Sequence, residues 1–182
     1  MNYFDMSLFA LVNAGAGTPA WLIRLAAIVS NFLPAAMVLL LAGCALVEPK
    51  RRRTLWVALL SLFATWVCVN LIRHWMPMPR PAALELGIQW LPQGVRSGFP
   101  SMHASGAFAV AAALLLERRD RLALLFVLAA GAIAWSRVYL GLHFPSDVLV
   151  GTALGGLIAS LVHGLTLGGQ RVAARRTRRA LP

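Results

Sequence analysis

Three short polar clusters, set between long apolar segments, concentrate the residues able to do chemistry in this 182-residue chain. They are Arg73-x6-Arg80-Pro81, Pro100-Ser101-Met102-His103 and Ser136-Arg137-x5-His143-x3-Asp147. Guanidinium groups grip the oxygens of an oxyanion two at a time, which a lysine ammonium cannot do. Imidazole can act as a nucleophile or move a proton. Polar side chains near a bilayer are expensive unless they face one another or water, so clusters like these mark a functional site. Their joint chemistry is that of phosphate handling.

Each cluster has its own logic. In the third, His143 follows the turn residue Gly141, and Asp147 opens the next apolar segment four residues later. Residues four apart share a face of a helix start, so the Asp147 carboxylate can accept a hydrogen bond from one His143 ring nitrogen. The other nitrogen is then free to attack. In the second cluster, Pro100 and Ser101 suit the entry to a helix running on from Met102 and His103. Such a helix start aims free N–H groups and the positive end of the dipole at an anion. The same Ser101 would serve as an ordinary cap, and this motif alone does not choose between the two. Arg73 alone could be an interfacial residue. Three arginines converging on a helix start would stabilise the charge of a phosphoryl-transfer transition state.

The elements that must position these groups are helical. Five candidate spans cover about residues 19–47, 54–76, 100–116, 122–142 and 146–168, each near the roughly 20 residues that cross ~30 Å of hydrocarbon. Residues 3–14 form a shorter apolar stretch expected at the membrane interface. The fold class is therefore all-α: a polytopic bundle of five spanning helices plus a short N-terminal helix, interfacial or a sixth span. Its parts are an interfacial segment at 1–18, a transmembrane domain at 19–168 and a basic tail at 169–182.

Composition agrees. The chain is 59% hydrophobic and only 13% charged, far from the balance of a soluble domain. Its net charge of +11 does not point to nucleic acid, because the charge clusters beside apolar spans. Lys50 to Arg53, Arg118, Arg119 and Arg121, and the five arginines from Arg171 to Arg179 all fall on one side. The positive-inside rule makes that side cytoplasmic. Arg73, Arg80, Arg96 and Arg137 fall on the other, so the site faces outward. Cys44 and Cys68 lack ligand or disulfide spacing and read as small core residues. Gly151-x3-Gly155 reads as a close-packing face within the bundle rather than a dimer contact.

The three clusters resemble the pattern of the type-2 phosphatidic acid phosphatase superfamily: Lys-x6-Arg-Pro, Pro-Ser-Gly-His and Ser-Arg-x5-His-x3-Asp. The third block matches at every fixed position, and the resemblance covers roughly residues 54–168. It implies that His143 is a nucleophile forming a phosphohistidine and that Asp147 orients it. His103 would protonate the leaving oxygen and then help activate water. Arg73, Arg80, Ser101, Arg137 and the Met102 amide would hold the phosphate. No metal or other cofactor is implied. Two opposed histidine protonation states imply a bell-shaped pH–rate profile. Arg73 stands where the pattern has lysine and Met102 where it has glycine, the second bearing on substrate shape.

Within the superfamily, Met6-Ser7-Leu8-Phe9-Ala10-Leu11-Val12-Asn13-Ala14 with Pro19-Ala20-Trp21, and Ala134 to Gly141, resemble the bacterial undecaprenyl-diphosphate phosphatases. The resemblance implies an inner-membrane enzyme that converts undecaprenyl diphosphate to the monophosphate at the outer face and returns carrier lipid to cell-wall synthesis. Its partners would be a polyprenyl diphosphate or phospholipid substrate and membrane lipids, with no nucleic acid. Within the same chemistry, the rivals are phosphatidylglycerophosphate, phosphatidate or lipid A as substrate, or phosphotransfer to a lipid. A rival of another class is a binder or transporter that keeps the cage without catalysis.

Overall fold

The computed structural model describes residues 3–94 and 97–180, the side chains of 170–180 excepted. Arg96 and the side chains of the C-terminal arginines, which the orientation argument used, lie outside the described residues. Six α-helices account for most of the chain: α1 (Tyr3–Val12), α2 (Ala20–Val47), α3 (Arg52–Trp75), α4 (Met102–Glu117), α5 (Arg121–Tyr139) and α6 (Pro145–Ala180). No strand occurs among the described residues. The expected all-helical bundle is what forms.

Polarity is distributed inside out. Large apolar side chains such as Trp21 and Phe32 on α2, Phe63 on α3, Leu128 on α5 and Leu157 on α6 point outward, each more than half exposed. Small polar ones, among them Ser30, Thr54, Ser61, Thr65, Ser105 and Ser136, are buried. In water such a molecule would aggregate. In lipid, bulky apolar surface faces hydrocarbon while small residues let the helices close on one another. The chain is a multi-pass membrane protein.

One expected span is shorter than the other four. Four helical stretches are long and apolar enough to cross a membrane: Ala20–Val47, Pro49–Trp75, Arg121–Tyr139 and Pro145–Gly169. Helix α4, expected as a fifth, has only 16 residues, or about 24 Å at 1.5 Å per residue. It can be short because it is central. Helices α2, α3, α5 and α6 all pack on it, and Ala104 to Ala107, Ala109 to Ala111, Ala113 and Leu114 are buried. Hydrocarbon thickness constrains the four helices around it.

Helix α6 approaches α4 most closely, and its glycines make that possible. A Cβ at Gly155 would collide with the Ser105 carbonyl and lie 2.9 Å from the Ala109 nitrogen. At Gly151 it would lie 2.9 Å from the Ser101 carbonyl and the Ser105 hydroxyl. The neighbouring Gly156 faces open space. Close packing within the bundle, as expected of the Gly151-x3-Gly155 face, brings the start of α6 beside the start of α4. There the Ser101 amide donates to the Asp147 carbonyl at 3.0 Å.

The opposite end of the bundle carries its own ties. Arg51 pairs with Glu48 at 2.6 Å and with Asp120 at 2.9 Å, and Arg118 reaches Glu48 at 3.4 Å. Arg53 meets the buried Glu117 at 3.1 Å, and His163 of α6 contacts the same carboxylate at 2.7 Å. His163 therefore packs helices together far from the three clusters.

The glycine contacts make a prediction. Overpacking typically costs about 1–3 kcal/mol, so Gly155→Ala lowers the melting temperature of the purified protein in detergent. Gly156→Ala, with room for its methyl and a better helix former, leaves it unchanged or raises it.

Candidate active site

The three sequence clusters converge at one end of the bundle: Arg73 at the last turn of α3, Arg80 in the following loop, Met102 and His103 at the first turn of α4, and Arg137 at the last turn of α5. His143 lies in the short connection to α6, and Asp147 in the first turn of that helix. A cavity of about 410 Å³ is lined by Arg73, Arg80, Met102, His103, Arg137 and His143.

His143 is 1% exposed, and its partners define its tautomer. Its Nδ1 lies 3.3 Å from Asp147 Oδ2, and its Nε2 lies 3.4 Å from Arg80 Nη1. An ionised carboxylate only accepts and a guanidinium only donates. Both neighbours therefore select the imidazole with hydrogen on Nδ1 and a lone pair on Nε2. The contacts are long, as such bonds commonly are before substrate tightens them. Asp147 is fixed from behind, since its Oδ2 also accepts from the Phe144 amide at 2.9 Å. Burial holds the His143 imidazole well below the ordinary histidine value of 6.5, and the positive charges of Arg137, Arg80 and Arg73 push the same way. The ring is thus neutral at neutral pH.

The arginines are held by carbonyls and a hydroxyl. Arg73 donates through Nε and Nη2 to the Pro100 carbonyl, at 3.2 and 2.8 Å. That fork fastens α3 to the entry of α4, where the Phe99–Pro100 peptide is cis. Arg80 Nη1 donates to the Leu142 carbonyl at 3.0 Å. Arg137 is 1% exposed, and its Nη1 donates to Ser30 Oγ of α2 at 2.6 Å. Its Nε is buried without a hydrogen-bond partner.

Ser101 is not the ordinary cap that its motif allowed. It occupies the N-cap position of α4 but makes no side-chain capping bond. Its Oγ is fully buried and unpaired, and it does not line the cavity. Asp147 likewise stands behind His143 rather than in the cavity wall. The remaining expected residues, Arg73, Arg80, Met102, His103, Arg137 and His143, share that wall.

Sequence reasoning missed four further wall residues, Trp66, Asn70, Gln93 and Gly94, and the buried Ser30. Asn70 and Trp66 had a readable signal, since they lie three and seven residues before Arg73 on one helical face. Gln93 and Gly94 come from the long connection between α3 and α4 and had none. In α2 the longer polar residue Asn31 is exposed, and its small neighbour Ser30 is the one that meets Arg137.

A second cavity adjoins the first. Its volume is about 550 Å³, its walls come from α2, α3 and α4, and it includes Met37, Leu62, Phe63, Gly106 and Val110. Trp66, Met102 and His103 belong to both cavities. A strongly basic chamber thus shares a wall with an apolar one, which suits an amphipathic molecule with an anionic head.

Comparison with known proteins places the chain. A membrane helix bundle with this basic, histidine-bearing cavity is the architecture of the PAP2 superfamily, whose family model matches residues 54–168. The chain belongs to that superfamily and is a membrane lipid phosphatase of the PAP2 type. It is 33% identical over 170 residues to the Escherichia coli (strain K12) protein named "Putative undecaprenyl-diphosphatase YbjG", covering 89% of this chain and 80% of that one. It is 36% identical over 140 residues to decaprenylphosphoryl-5-phosphoribose phosphatase of Mycobacterium tuberculosis (strain ATCC 25618 / H37Rv), covering 77% and 75% of the two chains. The crystal structure of Aquifex aeolicus LpxE superposes with a TM-score of 0.76 at 26% identity, covering 88% of this chain and 95% of that one.

The Ser30–Arg137 contact can be tested directly. A hydrogen bond to a charged group contributes about 1.5–3 kcal/mol. Ser30→Ala is expected to lower kcat/KM for phosphate release from a lipid phosphate about tenfold or more, and Ser30→Thr to recover most of it.

Proposed function

We propose that the protein removes the terminal phosphate of undecaprenyl diphosphate through a phosphohistidine at position 143. The observation that carries this reading is the orientation of His143, with Nδ1 towards Asp147 and Nε2 towards the guanidinium-lined cavity. Bound there, the terminal phosphate lies among Arg73, Arg80 and Arg137 with the amide of Met102 at the α4 start. Ser101 supports this cradle from behind the wall, its unpaired hydroxyl available to a phosphate oxygen after a small shift. Nε2 attacks phosphorus while the bond to the bridging oxygen breaks. His103, kept as the imidazolium by the negative charge of the bound diphosphate, gives its proton to that oxygen, and undecaprenyl phosphate leaves. His103, now neutral, takes a proton from water as the water attacks phosphorus. The P–N bond breaks and inorganic phosphate departs. Asp147 holds the Nδ1 proton throughout and balances the charge that builds on the ring. The arginines stabilise the oxygens that gain charge in both transition states.

The polyprenyl diphosphate is favoured by the likeness to YbjG along most of the chain and by the apolar cavity beside the basic one, which suits the first isoprene units. A second reading, a lipid whose headgroup sugar carries the terminal phosphate, is favoured by the mycobacterial relative of similar identity, which is named for a decaprenylphosphoryl-5-phosphoribose. The site is proposed to face the periplasm from a bacterial inner membrane, with the C-terminus in the cytoplasm. Support comes from twelve of the seventeen basic residues falling at the other end. Some of these are ion-paired, such as Arg51 and Arg53, but the rule counts Lys and Arg rather than net charge. The proposed division is an interfacial segment at 1–18, the phosphatase domain at 19–168 and a basic tail at 169–182.

Phosphate release from undecaprenyl diphosphate, its monophosphate, phosphatidate, phosphatidylglycerophosphate and lipid A tests the substrate. The diphosphate is expected to have the highest kcat/KM, with turnover unaffected by chelator. His143→Ala is expected to abolish release and the acid-quenched phosphoenzyme. Tight binding without any release, unchanged in His143→Ala, would establish a non-catalytic binder instead. The pH profile adds a signed prediction. The nucleophile must be neutral, and its pKa is depressed, so activity persists as pH falls through 6.5. The acid limb of kcat/KM then lies below that value, whereas the alkaline limb belongs to kcat, which reports the substrate complex, and follows loss of the His103 proton there.

A further inference from the structure

Helix α1 lines no part of either cavity, yet its side chains reach the chain on both sides of His143. That histidine sits in the connection between Tyr139, where α5 ends, and Pro145, where α6 begins. Its position depends on how those two helix ends are held. At the α6 end, Asp5 Oδ1 accepts from the Ser146 amide at 2.9 Å and Asp5 Oδ2 from the Ser146 hydroxyl at 2.6 Å. The carboxylate of one helix thus satisfies an unpaired N–H at the start of another and complements its dipole. One turn further along α1, the buried Phe9 packs against Phe144 with ring centroids 5.4 Å apart.

At the α5 end the tie is made by Asn13, just past α1. Its Nδ2 donates to the Ile88 carbonyl at 3.0 Å and to the Tyr139 carbonyl at 3.1 Å, while its Oδ1 accepts from the Ile88 amide at 2.7 Å. The Ala14 amide also donates to the Tyr139 carbonyl at 2.9 Å. The turn between the two ends closes tightly at Gly141 (φ +73°), where a Cβ would strike the Ile88 carbonyl. A helix that only floated at the lipid interface would need none of these bonds.

We infer that α1 is a splint for the nucleophile loop, with Asp5 and Asn13 as positioning residues that act on His143 through Ser146, Tyr139 and Ile88. This rests on the reading of His143 as the nucleophile. Asp5 and Asn13 touch no substrate. They fix the two helix ends between which the imidazole is strung, so that Nε2 stays aimed into the cavity. A displacement of about 1 Å at a reacting group can cost on the order of a hundredfold in rate.

Two readouts on the full-length protein in detergent test the splint. The first is the kinetics of phosphate release. Asp5→Ala and Asn13→Ala are expected to lower kcat about tenfold or more, with KM within about twofold of wild type. Ser146→Ala, which removes one of the two bonds to Asp5, gives a smaller fall in the same parameter. Asp5→Glu recovers part of the loss, and Ser7→Ala, on the exposed side of α1, changes nothing. The second readout is the ¹⁵N spectrum of ring-labelled histidine, with His143→Gln assigning the signals. In Asp5→Ala the Nδ1–H form of His143 loses population, whether or not the enzyme turns over. If no lipid phosphate is hydrolysed by wild type, the nucleophile reading fails, and the ring spectrum alone decides the splint. Wild-type kcat per folded molecule and an unchanged His143 spectrum in Asp5→Ala overturn it. Should that variant not fold, the same result in Ser146→Ala does so.

Discussion

Three guanidiniums surround one cavity, and like charges at such range in a poorly hydrated setting repel strongly. The Asp147 carboxylate is turned towards His143 and the Phe144 amide. Neutral acceptors also restrain the arginines: the Pro100 carbonyl for Arg73, the Leu142 carbonyl for Arg80 and the Ser30 hydroxyl for Arg137. Neutral acceptors fix a cation without cancelling it. Positive charge is thereby kept in the cavity for an incoming anion, and folding energy from elsewhere must hold it together.

That energy has an identifiable source in the packing of α6 on α4. The glycine face at Gly151 and Gly155 allows the two helices to meet almost backbone to backbone. The Ser101 amide then bonds the Asp147 carbonyl. Second and third clusters, some 40 residues apart in sequence, thereby become neighbours. The first cluster is drawn in by the fork of Arg73 on Pro100.

Much of this was legible in the residues. The spacing from Ser136 to Asp147 announced the His143–Asp147 pair, because a four-residue step at a helix start admits few other geometries. The apolar runs announced the helices, and the Gly151-x3-Gly155 face its close contact. Other features were not legible, for physical reasons. The short 100–116 segment was visible, but the reason α4 can be short, its sheathing by other helices, is recorded in no local pattern. Ser30 looks like any small residue in an apolar span, and its bond to Arg137 joins positions 107 residues apart. Ser101 has the chemistry of a cap and sits at a cap position, but its hydroxyl is not used as one. Nor does a ten-residue apolar helix reveal whether it meets lipid or protein; here Phe9 is buried.

The shortness of α4 has a consequence for how the protein sits among lipids of different kinds. Membranes differ by several ångströms in hydrocarbon thickness, and a spanning helix adapts by tilting or by deforming the lipid around it. Those adjustments act on helices that touch acyl chains. Sheathed α4 does not need to follow them, and it carries His103 and the entry of the phosphate cradle at its first turn. Mechanical strain from a thicker or thinner leaflet is thus taken up at the periphery of the bundle, away from the reacting groups.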